Sequence, residues 1–332
     1  MKPFIIVLFM STICGCTISE KEYFVAPSRE INGKIIIDRD SALLIGRHNS
    51  MIVLNNSVYI HDPWGGHFFT KYDINNDTVY RFCRNGQGPR EATSASPVMT
   101  LVMKENRNYI SVFDSFSCKF LLFEEDHIND YINAQEEFLK DNSIIFTAFQ
   151  LNDSIVLAEG VFEKNICMFY KNGIKQKSYL ESFTKIGNDD MKRIMKDANV
   201  FGLSPNKEFF VRITQNGGLI EAYKIENMQL NQLFSHNYFD VICDRNLSFT
   251  NDSRYGYIDM SVSNNKIYGL YDGGLVNREN SFRSNIIHIY DMNGQLLEKL
   301  LLNHFVECIG VNNEETQLYA ISEEHDLLLF NF

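Results

Sequence analysis

The stretch RNGQGPRE, Arg84 to Glu91, places two glycines and a proline between two arginines, directly after a strand-like run. Such a loop could cradle phosphate, because backbone N–H groups approach an anion closely where no Cβ intervenes. The spacing argues otherwise. GxxxxGK[ST] is absent, GxGxxG needs a glycine where Glu91 stands, and no helix pattern follows. Gly86, Gly88 and Pro89 read instead as a sharp turn between two pieces of sheet.

Other side chains with chemical potential cluster in loops. Trp64 is the single tryptophan, and His61 and His67 flank it. Arg84, Arg90, Arg245, Arg254, Arg278 and Arg283, six of the thirteen arginines, lie in glycine- and asparagine-rich segments of an otherwise acidic chain. Guanidinium forks suit carboxylate, sulfate or phosphate, and an indole beside them suits a sugar or aromatic ring. The expected ligand set is Trp64, His61, His67, Arg84, Arg90, Arg254, Arg278 and Arg283. Asp244, Asp252, Asp272 and Glu279 stand close enough in sequence to pair with the same arginines, and that alternative stays open. Two histidines without a third ligand type do not make a metal site, so none is expected. GxSxG, HExxH and SxxK are absent, and no catalytic residue is singled out.

The formal net charge of −11 and the lack of any dense Lys/Arg cluster point away from nucleic acid and from direct attraction to anionic lipid. Aromatics at 13% favour sheet over helix. The first residues follow a separate logic. Lys2, an apolar run from Phe4 to Met10, and small residues before Cys16 have the layout of a secretory signal. Ile13, Cys14, Gly15 and Cys16 resemble the bacterial lipobox. That resemblance implies removal of residues 1–15, S-acylation of Cys16 and attachment to a membrane through the lipid. Removal takes Lys2 and no acid, which moves the charge from −11 to −12. Residues 16–26 then form a polar tether and residues 27–332 the folded body. Cys83, Cys118, Cys167, Cys243 and Cys308 remain, with no metal-ligand spacing, and read as small buried hydrophobes.

What must position the loops is a repeat. Six β-type runs begin at Val58, Tyr109, Ser154, Glu208, Lys266 and Gln317, at intervals of 51, 45, 54, 58 and 51 residues. A turn signal precedes each, such as Asn55-Asn56, Glu105-Asn106 and Asn312-Asn313, and another apolar run precedes the turn. A third run ending in an aromatic follows each, and Asn172-Gly173 and Asn293-Gly294 lead on to a fourth. Four antiparallel strands repeated six times predict an all-β, six-bladed β-propeller. The last unit ends after its third strand. A ring must close or leave an edge unpaired, so Gly33–Asp38, or its neighbour around Phe24, is expected to supply the missing outer strand. Residues 126–141 and 188–199 read as helical insertions between blades, the second capped by Asn188 or Asp189, with Met191, Ile194 and Met195 on one face.

The run RNGQGPRE followed by small residues resembles the GxGPGE-type crossing of TolB-like six-bladed propeller lipoproteins of Bacteroidota, with Arg90 where that pattern has glycine. Residues 286–294 and 317–321 resemble the end of the same family. The resemblance implies the propeller fold and a cell-envelope location, with the lipid anchor pointing to the outer membrane. It implies no established reaction. The expected protein is a monomeric, non-catalytic envelope lipoprotein that binds an anionic glycan, peptide or protein on its loop face, without a cofactor. Two alternatives stay open. One is a calcium-dependent lactonase-like hydrolase with Glu, Asn and Asp ligands drawn from different blades. The other is a scaffold within an envelope complex.

Overall fold

The computed structural model describes residues 24–40, 49–128, 134–139, 141, 143–185, 189–279 and 281–332. The proposed signal, Cys16 and most of the tether lie outside the described residues. Alternating apolar residues and tight turns build six four-stranded blades. Blade 1 comprises Ser50–Leu54, Ser57–Trp64, His67–Asp73 and Thr78–Arg84. Blade 2 comprises Ala95–Lys104, Arg107–Asp114, Lys119–Glu124 and Gln135–Phe138. Blade 3 runs through Ile144–Gln150, Ile155–Phe162, Asn165–Lys171 and Ile174–Glu181, and blade 4 through Asn199–Leu203, Phe209–Thr214, Leu219–Glu226 and Gln229–Asn237. Blade 5 has Tyr257–Val262, Lys266–Tyr271, Ser284–Asp291 and the first part of the long strand Leu296–Val311. The second part of that strand opens blade 6, which continues with Gln317–Ser322 and Leu327–Asn331.

The hairpin turns use the chemistry their residues allow. Asn172 and Gly173 both have positive φ, as do Glu105 and Asn106, the geometry that matches the twist of paired strands. Period-two alternation then sends successive side chains to opposite blade faces. Leu318 and Ala320 pack towards blade 5, while Tyr319 and Ile321 pack towards blade 1. The described core accordingly falls into six apolar clusters, one at each blade–blade interface, including the one between blades 6 and 1.

Ring closure follows the expectation. Lys34–Ile37 pairs antiparallel with residues 327–329 as the fourth strand of blade 6. The preceding segment adds more than a strand. Ser28–Ile31 pairs in parallel with residues 299–302 of blade 5. Phe24 wedges between blades 4 and 5, its ring 4.4 Å from Tyr238, 4.8 Å from Tyr271 and 4.3 Å from His288. Lys299 Nζ donates to the Phe24 carbonyl at 3.0 Å. The N-terminal segment thus straps three blades together.

Among the described residues one insertion is helical and the other is not. Asp190–Asp197 is an α-helix whose N-cap, Asp189, accepts from the Lys192 amide. Ile194 is buried, but Met195 is 67% exposed, so the apolar face is narrower than its spacing suggests. In the other segment, Glu125–His127 forms a 3-10 turn and Gln135–Phe138 is the outer strand of blade 2. The helical reading of that strand fails because pairing to residues 119–122 and the Lys119–Glu136 and Lys104–Glu137 ion pairs outweigh weak local propensity. Residues 129–133 lie outside the described residues. The five described cysteines are free thiols, and all but Cys118 are buried.

Candidate functional site

The Arg84–Glu91 crossing already holds an anion, and it is the protein's own. Glu91 Oε2 accepts from the Gly88 amide at 2.8 Å. A Cβ on Gly86 would lie 2.0 Å from that oxygen, so the glycine leaves room for the carboxylate. The loop is tied at its base by Gly86 N to Ala92 O and Ala92 N to Arg84 O, both 2.9 Å. Arg90 has φ 62, the left-handed region where glycine is favoured, and its amide donates to Glu136 of blade 2 at 2.8 Å.

Blade 1 brings several of the expected ligand residues together. Its second and third strands meet at Gly65 and Gly66, with Trp64 opposite His67 and His67 opposite Arg84. Trp64 is 58% exposed. Its carbonyl accepts from Arg81 Nη1 at 2.9 Å, and Arg81 Nη2 stands 3.8 Å from the buried carboxylate of Asp62. Arg81 therefore braces the hairpin from beneath, and Arg84 lies exposed at its edge. His61 does not join this patch. It is buried against Phe69, its Nδ1 lies 3.1 Å from Asn49 Nδ2, and burial lowers its pKa to about 4. It serves as an interior ring.

The remaining arginines lie in the crossing from blade 4 to blade 5 and in the loop between the second and third strands of blade 5. Arg278 binds Asp272 at 2.5 Å, its guanidinium lying across Gly274, where a Cβ would clash. Arg283 pairs with Glu323 of the neighbouring blade and approaches the Phe305 ring. These two meet internal carboxylates. Arg245 and Arg254 are exposed, and Arg254 Nη1 reaches the Gly273 carbonyl at 3.4 Å. Among the described residues no group of three or more His, Cys, Asp or Glu stands together as a metal cluster.

Sequence spacing does not reveal a second feature, the central channel. A cavity of about 750 Å³ is bounded by the first strands of blades 1 to 5 and by Val311–Asn313 of blade 6. Glu159 reaches its wall from blade 3, and burial pushes its carboxyl up to about 8 against the pull of Arg212. Arg212 is itself buried, with Asp197 at 3.3 Å and Glu221 at 3.4 Å. Asp197 also accepts from Ser182 Oγ and from the amides of Phe183 and Thr184. One guanidinium thus faces two carboxylates already, and a third beside it is held neutral. Asp259, on the blade 5 wall, accepts from the Ile309 amide at 2.8 Å, and burial raises it to about 7. Lys207 donates to the carbonyls of Gln150 and Leu151, and burial lowers it to about 8. These side chains come from blades 3, 4 and 5, and only the packing of blade on blade brings them together.

The chain matches the model of a family described as TolB-like 6-blade propeller-like over residues 29–314. No curated protein matches it. Among solved structures it is similar to the β-propeller domain of Cps50 (Swd1) from Myceliophteria thermophila. That match has 11% identity and a TM-score of 0.49, covering 90% of this chain and 99% of that one. It is similar to the WD40 repeats of RRP9, with 8% identity and a TM-score of 0.48 over 93% and 99% of the two chains. It also matches Raptor from Chaetomium thermophilum at 8% identity and a TM-score of 0.46, over 86% of this chain and 28% of that one. No described helix is long and apolar enough to cross a membrane.

Proposed function

The chain belongs to the TolB-like 6-blade propeller-like family, and from that premise we propose that it is a non-catalytic envelope lipoprotein whose loop face binds an anionic glycan or acidic peptide. Cys16 carries the lipid, and the tether holds the propeller at the outer membrane. The observation that supports the binding reading is the blade 1 hairpin. A 58% exposed indole lies on a two-stranded platform braced by Arg81, with His67 and Arg84 alongside. An exposed aromatic with guanidinium neighbours can stack on a ring and fork onto its acid group at once.

Because Trp64 is the only tryptophan, its fluorescence reads the site directly. Titration with polygalacturonate, heparin-derived oligosaccharides and poly-glutamate should give a saturable change in emission that weakens as salt rises. Arg84→Ala should weaken it by about tenfold, the loss of one charge-assisted fork. Emission unmoved by all three polyanions, or a response that Arg84→Ala leaves intact, counts against the reading.

A further inference from the structure

The channel carries an inference that goes beyond the loop face. Each first strand of blades 1 to 5 stands at the end of its sheet, so one edge of its backbone has no strand partner. Several polar side chains of the lining are engaged across blade boundaries. Ser50 Oγ donates to Pro97 O at 2.7 Å, Gln215 Nε2 to Ile258 O at 2.9 Å, and Ser263 Oγ to Glu315 Oε1 at 2.6 Å. Ser261 Oγ accepts from the Val311 amide at 3.0 Å. Two lining groups break the pattern. Thr100 Oγ1 of blade 2 and Asn199 Nδ2 of blade 4 are buried without a hydrogen-bond partner, although Thr100 is only 5% exposed. Buried polar atoms without partners are rare in folded proteins and mark places where something else completes them. Asn199 is held in place by its other end, because Oδ1 accepts from Arg212 Nε at 2.8 Å.

The charge of the wall narrows the ligand. Lys207 is committed to two carbonyls and Asp259 to a backbone amide. Glu159, on blade 3, stands between Thr100 of blade 2 and Asn199 of blade 4 in blade order, as a carboxyl that can both donate and accept. Among the described lining residues no unpaired full charge invites an ion. A purely apolar molecule would leave Thr100 and Asn199 unsatisfied at a cost. Half-buried Leu101, Phe146, Val200 and Val262 complete the lining and suit the C–H faces of a ring. The volume lies within the ordinary range of small-molecule pockets.

We propose that the central channel is a second binding site, for a neutral sugar of one or two rings, held by Thr100, Glu159 and Asn199. The test is calorimetric titration and thermal unfolding of the protein with glucose, galactose, mannose, N-acetylglucosamine, maltose, cellobiose and lactose, with glucuronate as the charged counterpart. At least one neutral sugar should bind saturably and raise the melting temperature, since a ligand of the folded state stabilises by mass action. Thr100→Val keeps the shape and removes the hydroxyl. Asn199→Asp keeps the acceptor for Arg212 and removes the donor. Each should weaken binding about tenfold, and Trp64→Ala should leave it unchanged. Glucuronate should bind less tightly than glucose. The proposal is overturned if none of these sugars binds at millimolar concentration. It is equally overturned if binding survives both channel variants, or is lost in Trp64→Ala, which would return it to the loop face.

Discussion

Glu159→Gln should make the protein more stable at alkaline pH, against the usual expectation for removing a buried polar contact. Glu159 is 8% exposed on the second strand of blade 3. Arg212, the cation near it, already serves Asp197 and Glu221. Burial lifts the pKa of Glu159 from the ordinary 4.5 to about 8. Between those two values the folded protein holds a proton that the unfolded chain has released. Stability therefore falls as pH rises through the window and levels off above about 8. A separation of about three and a half pH units corresponds to roughly 5 kcal/mol, a large share of the ~5–15 kcal/mol that holds a typical domain folded. Glutamine keeps the shape and has no proton to lose. The difference in unfolding free energy between Glu159→Gln and the parent should therefore grow from about 1 kcal/mol at pH 5.5 to roughly 5 kcal/mol at pH 9. Urea unfolding at several pH values measures it. Subtracting the two proteins cancels the contributions of Asp259, Lys207 and every other group common to both. A difference flat in pH, or a Gln variant less stable than the parent at pH 9, would refute the reasoning. The latter would mean that Glu159 is ionised and paired with Arg212.

Three further substitutions test the packing. Gly256→Ala places a methyl 1.8 Å from Gly217 O and 2.7 Å from Thr214 O, both backbone atoms, and should cost about 3 kcal/mol or more in thermal unfolding. Gly66→Ala is its control, because nothing lies within 4 Å of the added carbon and only the φ of +83 is strained, so about 1 kcal/mol is expected. Phe24→Ala removes the wedge between blades 4 and 5 and should cost about 2 kcal/mol, seen as a drop of several degrees in melting temperature. An unchanged melting temperature would mean that the parallel strand Ser28–Ile31 fastens the segment without it.

The repeat was legible because its signals are local. Strand alternation and Asn-Gly turns act over a few residues, and six copies at near-regular spacing leave few alternatives to a ring. The closing strand was legible by subtraction, since a sixth blade short of one strand needs an edge to be covered. Gln135–Phe138 was not, because an outermost strand rich in Gln and Glu takes its form from the partner strand and two lysines rather than from itself. The loop-face residues were legible in kind and only partly in place. Trp64, His67 and Arg84 share a hairpin, and hairpin register follows from sequence distance. His61, only three residues before Trp64, turned inward instead, and Arg278 and Arg283 met carboxylates. The channel residues Thr100, Glu159, Asn199 and Asp259 carried no signal along the chain. Each stands on a different blade, and what gives them meaning is burial and mutual approach. The sequence by itself determined most of the strands and turns and the number of blades. Only the closed ring decided which side chains lost their water, and desolvation, unlike strand propensity, is a property of neighbours far away in the chain.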